Sequence, residues 1–246
     1  MIIALSIVLF ILLLLIGKKR GIKTFICFYL NYFLIIFYII FVGIGINPII
    51  MSLITCVISS LISLFLLNGY NIKTKASFKS ILLVLLLMFI FIFIIGKNAN
   101  IQGFSYESIE EIGVFSFDIN TNMTDVLIGM FLVCIIGTII DTSISISSAL
   151  NEIKLNNKDL DTKVLFLSGM NIGKDILSTT INTLYFAFIG GFIAFFIWHY
   201  NNGIEYILNY RVFASDIIEL LFCFIGSILI IPITSYISSK DVKNVL

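Results

Sequence analysis

Asp141 is the one charged side chain that stands well inside a long apolar run of this 246-residue chain. Its surroundings read Gly137-Thr-Ile-Ile-Asp-Thr-Ser-Ile-Ser-Ile-Ser-Ser-Ala-Leu-Asn-Glu152. Thr138, Asp141, Ser145, Ser148 and Glu152 recur at steps of three and four, so a helix carries them on one face. A carboxylate set among hydroxyls has two uses in such a place. It can handle a proton or a cation, which is the default reading of an ionisable group in a membrane. It can also be held by Thr138, Thr142 and Ser145 as a packing contact.

A second polar stripe follows. Asn171, Asp175, Ser178 and Asn182 share one helix face, flanked by Thr179. Asn182 lies at a depth close to that of Asp141. Lipid satisfies neither stripe, so the two are expected to face each other, with Asp141 opposite Asn182 or Thr179. Gly137, Gly190 and Gly191 are the expected points of close helix approach or bending. Glu152, Asn171, Lys174 and Asp175 are expected at the cytoplasmic mouth of this seam.

The elements that carry these residues follow from composition. Of the chain, 60% is hydrophobic and 12% charged, against about 45–50% and about 25% in soluble domains. A soluble core of this length cannot hide so much apolar surface. A net charge of +1 leaves no footprint for a polyanion, so nucleic acid is not an expected partner. The expected surroundings are a lipid bilayer.

Apolar runs able to cross about 30 Å of hydrocarbon occupy residues 1–16, 24–43, 48–68, 80–96, 125–147, 175–199 and 217–238. The fold class expected is an all-α integral membrane protein of about seven transmembrane helices. Placing the N-terminus outside and the C-terminus in the cytoplasm puts 13 of the 15 Lys and Arg residues in cytoplasmic segments. Asp141 then sits about five residues, roughly 7 Å, to the cytoplasmic side of its span's midpoint. An ionisable residue there costs at least about 2.5 kcal/mol on insertion scales. Residues 1–16 are read as a retained anchor, because their positive cluster follows the apolar run.

Three segments differ in texture. Residues 1–96 are nearly pure Ile, Leu, Phe and Val and read as a four-helix scaffold. Residues 97–124 form an acidic outer loop, with a short amphipathic helix expected at Tyr106–Ile112. Residues 125–240 carry the polar seam on three helices. Cys27, Cys56, Cys134 and Cys223 have no zinc or redox spacing and read as packed thiols. No metal site or cofactor is expected. His199, between Trp198 and Tyr200, reads as part of an interfacial aromatic belt. It lies across the membrane from Asp141, which leaves no nucleophile–base or metal pair, and no enzyme activity is expected. Asn122-Met-Thr124 matches a glycosylation acceptor, a short pattern that arises often by chance. Asp216 and Glu219 read as interfacial anchors within reach of Arg211.

The stretch from Gly137 to Glu152, with Ser168-Gly-Met-Asn-Ile-Gly-Lys-Asp-Ile176 and Asn182-Thr-Leu184, resembles the YibE/F family of bacterial membrane proteins over about residues 125–240. The compact form is similar to the YibF-type members. That resemblance implies a multi-pass protein of the bacterial plasma membrane, with a YibE-type companion or a homo-oligomer as partner. The order of glycine, mid-helix Asp, terminal Glu, basic loop and Gly-Gly is also similar to the proton-relay helix of RND-type permeases and SecD/SecF proteins. It implies a proton-responsive Asp141. Together with the polar stripes, the expected function is a permease-like transport subunit, proton- or cation-coupled through Asp141, with Ser145, Ser178, Thr179 and Asn182 relaying or coordinating. Against that pattern, a single Asp141-Thr142 stands where permeases often carry an Asp pair, and no porter domain is present. The competing expectation is a non-transporting scaffold or assembly subunit.

Overall fold

The computed structural model describes residues 1–99, 122–157 and 160–243. The acidic stretch of the outer loop and the helix expected at residues 106–112 lie outside the described residues. The described chain is helical almost throughout, as expected of apolar runs whose backbone groups must be satisfied within each segment. Its helices are α1 (Ile2–Gly43), α2 (Pro48–Leu61), α3 (Ile72–Ala99), α4 (Met123–Asn156), α5 (Thr162–Trp198), the short α6 (Gly203–Asn209) and α7 (Arg211–Lys243). All but α6 are long and apolar enough to cross a membrane, α2 together with the wider turn Ile62–Leu66 that continues it. The chain is an all-α, multi-pass membrane protein.

The seven expected runs and these six long helices differ at one point. α1 is helical on both sides of Lys18, whose φ of 47° and ψ of −125° leave the helical region. The rings of Phe10 and Phe25 are 4.8 Å apart, whereas 15 residues of straight helix would separate them by about 22 Å. The chain therefore folds back at Lys18, and Gly21 lets the second arm approach the backbone of Leu13. The two arms correspond to the first two apolar runs.

Local chemistry sets the other boundaries. Asn47 accepts hydrogen bonds from the Ile49 and Ile50 amides while Pro48 occupies the first turn, a strong start for α2. Asn122 caps α4 by accepting from the Thr124 amide at 3.0 Å. Asp161 caps α5 through the Thr162 amide at 2.7 Å. Lys154 closes the α4–α5 turn by donating to the Leu160 carbonyl at 3.1 Å.

α4 is the central helix, with α2, α3, α5 and α7 packed around it. Phe131, Leu132, Ile135 and Ile139 are fully buried against Leu64, Ile81, Met88 and Ile92, with Phe222 and Ile230 completing the core. Helices before residue 97 and helices after residue 124 therefore share one interior. α1 packs mainly on α2 and the turn after it, with Tyr38 reaching Gly129 of α4, and leaves Phe28, Phe33, Phe37 and Ile39 exposed, a surface suited to lipid. At 34 residues α4 is about 51 Å long, so its ends extend beyond the hydrocarbon.

Candidate functional site

α4 carries polar residues on two faces with different surroundings. On one face Ser143 and Ser147 are fully buried. Ser147 and Ser238 share a hydrogen bond of 2.7 Å, and Thr234 donates to Ser143 at 3.1 Å. This face joins α4 to α3 and α7. On the other face Gly137, Asp141, Ser145 and Glu152 are exposed on the chain. Thr138 is satisfied within its own helix by the Ile135 carbonyl at 2.9 Å.

The open face has a cavity of about 320 Å³ above it. α4 supplies Gly137, Asp141 and the apolar Ile136, Ile140 and Ile144; α1 supplies Asn31 beside Leu34 and Ile35; α2 and the wider turn supply Thr55, Ser59 and Ser63, with Asn68 just beyond the turn. Ser59 donates to Asn31 Oδ1 at 3.0 Å, and Asn31 Nδ2 donates to Ser63 Oγ at 3.2 Å. Asn31 Nδ2 also lies 3.6 Å from Cys27 Sγ. Among the described residues no hydrogen bond or ion pair engages the Asp141 carboxylate. Ser63 belongs to the wider helical turn, a feature often found at functional sites.

The expected pairing of Asp141 with Asn182 or Thr179 is not formed. No residue of α5 lines the Asp141 cavity, and among the described residues no hydrogen bond joins these side chains. Asn171, Lys174, Asp175, Ser178, Thr179 and Asn182 are all exposed on α5. Thr179 bonds back to the Ile176 carbonyl at 2.8 Å and Thr183 to Thr179 at 2.9 Å. The reason is geometric: α5 approaches α4 through Leu165 and Gly169 against Leu150, and packs along α7 through Gly173.

The glycines also sort differently. A Cβ at Gly137, Gly190 or Gly191 would meet nothing within 4 Å, so none is a point of close approach within the chain. α5 runs through Gly190-Gly191 as continuous helix. Close approach falls instead to Gly129 beside Tyr38, to Gly169 and Gly173 beside Ser235 and Ile231, and to Gly226 beside Ile135. Gly137 and Gly191 line space: Gly137 the Asp141 cavity, and Gly191 a second one of about 460 Å³.

That second cavity lies among α4, α5 and α7 and is lined by Cys134, Asp216, Glu219 and Cys223. Asp216 and Glu219, read from sequence as interfacial anchors, line this open space. Cys223 donates to Cys134 at 3.5 Å, and Glu219 is hydrogen-bonded with Cys134. Cys134 also lines the Asp141 cavity, so its side chain stands between the two spaces. His199 stacks on Tyr206 with ring centroids 5.3 Å apart and lies against Phe195, an aromatic setting. Among the described residues no group of three or more His, Cys, Asp and Glu side chains is arranged to hold a metal.

Asn31, Thr55, Ser59 and Ser63 were not singled out by sequence reasoning. A signal was present, since Thr55, Ser59 and Ser63 recur every four residues on one helix face. No curated protein and no solved structure matches the chain. A family model described as YibE/F-like protein matches residues 5–244, extending well beyond the C-terminal stretch that carries the recognisable motifs. The chain belongs to the YibE/F-like family of proteins.

Proposed function

We propose that the chain is a permease-like transport subunit of the bacterial plasma membrane, with an external N-terminus, in which Asp141 couples a proton or cation to passage of a substrate. The observation that carries this reading is the placement of Asp141 on an open, largely apolar cavity into which Asn31, Thr55, Ser59 and Ser63 bring polar side chains from two other helices. A carboxylate used only for packing would be held by partners, as Ser143 and Ser147 are on the opposite face. Asp141→Asn tests the reading, because it retains shape and hydrogen bonding but not titration. Transport-linked phenotype should be lost with expression and assembly intact. An unchanged phenotype would remove Asp141 from the mechanism.

A second reading has its own observation. α5 presents Asn171, Asp175, Ser178 and Asn182 outward, and lipid cannot satisfy such a stripe. Another chain covering this face, a YibE-type companion or a second copy, would make α5 an assembly surface. Polar contacts of this kind contribute about 0.6–2 kcal/mol each, enough in number to hold a complex. Cross-linking from cysteines placed at Ser178 and Asn182 tests it: capture of a protein partner supports the assembly role, and lipid-only labelling opposes it.

A further inference from the structure

α1 and α2 bring oxygen-bearing side chains, among Leu34, Ile35 and Leu67, to the cavity that Asp141 lines. Ser59 gives its hydroxyl hydrogen to Asn31 Oδ1, and Asn31 gives its amide hydrogens to Ser63 and Cys27. These bonds consume the hydrogens of Ser59 and Asn31 between α1 and α2. With those hydrogens engaged, what Ser59 and Asn31 have left to offer is oxygen lone pairs, and both residues line the cavity together with Thr55. Among the described residues, Asp141 is the one carboxylate lining the same cavity. Oxygen donors of this type suit hard cations. A divalent ion would keep a net positive charge inside the membrane after pairing with a single carboxylate, which is costly. A proton would need only the carboxylate and would make no use of the neutral oxygens of Asn31, Ser59 and Thr55.

We propose that the cavity binds a sodium ion between the Asp141 carboxylate and the oxygens of Asn31, Ser59 and Thr55, with water completing the shell. This deepens the transport reading and rests on it for its meaning as a coupling ion, although binding itself is measurable without transport. The N-terminal helices, in this view, supply half of the coordination. Sodium occupancy then holds α1 and α2 against α4.

The test uses the purified full chain in lipid nanodiscs with sodium chloride as the probe. Sodium should raise the unfolding temperature above that in choline chloride at equal ionic strength, since a ligand bound to the folded state stabilises it. Binding of radioactive sodium should saturate. Asp141→Asn should abolish both signals, and Ser59→Ala should weaken binding at least about tenfold, as loss of metal-site groups commonly does. Ser60→Ala, a buried hydroxyl bonded to Val57 and outside the cavity, should leave binding unchanged. An equal response to choline, or a sodium response that survives both Asp141→Asn and Ser59→Ala, overturns the proposal. Proton uptake that depends on Asp141 without any sodium response overturns it too, while leaving the transport reading standing. Sodium binding with no phenotype in Asp141→Asn would do the reverse.

Discussion

Ser77 and Ser143 each donate a hydroxyl to the other's backbone carbonyl, both at 3.3 Å, so that two turns of α3 and α4 are clasped in both directions. Ser143 also accepts from Thr234, which ties α7 into the same contact. One turn on, Ser147 and Ser238 repeat the link between α4 and α7. This ladder of buried hydroxyls lies on the opposite side of α4 from Asp141. Thus the polar residues of one helix do two jobs: one face binds helices together and the other lines open space.

The Ser147–Ser238 pair should behave as an isolated buried contact. Changing either residue to Ala removes the bond, and the double variant should cost less than the sum of the single ones. The expected coupling is about 0.6 kcal/mol, and at most about 1.7 kcal/mol, the range of interhelical hydrogen bonds in membranes. Unfolding in mixed micelles, read by a double-mutant cycle, checks it. Additive losses would show that the two hydroxyls do not interact.

Close helix approach should fail at Gly173 and tolerate change at Gly137. A side chain at position 173 overlaps Ile231, and a Cβ at Gly169 would lie 2.7 Å from Ser235 Oγ. Overpacking of this kind costs about 1–3 kcal/mol. Gly173→Leu should therefore lower thermal stability and release α5 from α7. Gly137→Ala, with nothing within 4 Å, should stay close to the parent. Size-exclusion profiles recorded after graded heating separate these outcomes.

The membrane helices were legible because their apolar residues run all round rather than along one face. That pattern gave the number of segments, including both arms of the first hairpin, although the reversal at Lys18 carries no Gly or Pro at the turning residue itself. The composition of α4 could not show which face would open. Ser143, Ser145 and Ser147 alternate along its sequence, so both sides of the helix look polar. Only the packing of α3 and α7 decides that Ser143 and Ser147 are covered. Asn31 and Ser59 escaped attention for a different reason. They are 28 residues apart in the chain, Asn31 between Leu30 and Tyr32 and Ser59 in a stripe of small hydroxyls, and become a site only when α1 folds against α2. The pairing expected between α4 and α5 rested on matching depth. Depth says nothing about rotation, and the rotation of α5 is set by Gly169 and Gly173.

Lys18 pays a conformational cost that glycine would avoid. Its φ of 47° with ψ of −125° places an L side chain in a region that glycine enters freely. Such a residue carries about 1–3 kcal/mol of strain. Lys18→Gly should raise the thermal stability of the hairpin, and Lys18→Val should lower it further than loss of charge explains. Lys18→Gln supplies the charge control. If Gly and Gln variants melt alike, the turn is not strained at this position.

Water should reach the open face of α4 and not the clasped one. In a chain whose four cysteines are replaced, single cysteines at Ser145 and Ser59 should react with a small membrane-impermeant maleimide. A cysteine at Ser147, fully buried beside Ser238, should be protected until the protein is denatured. Equal protection at all three positions would describe a dry Asp141 cavity and would favour the assembly role over transport.

Asn122 should matter as a helix cap whether or not Asn122-Met-Thr124 is ever modified. Its side chain accepts from the Thr124 amide, and the adjacent Asp125 lies 3.7 Å from Lys97 at the end of α3. Loss of such a cap costs typically about 1 kcal/mol. Asn122→Ala should reduce stability by that amount. Asn122→Asp keeps the cap, and adds a negative charge where the helix dipole favours one, so it should match or exceed the parent. Thr124→Ala abolishes the acceptor pattern but keeps the Asn122 bond, because the donor is the backbone amide. Its stability should be unchanged, and thermal unfolding of the three variants side by side distinguishes a cap from a sugar acceptor.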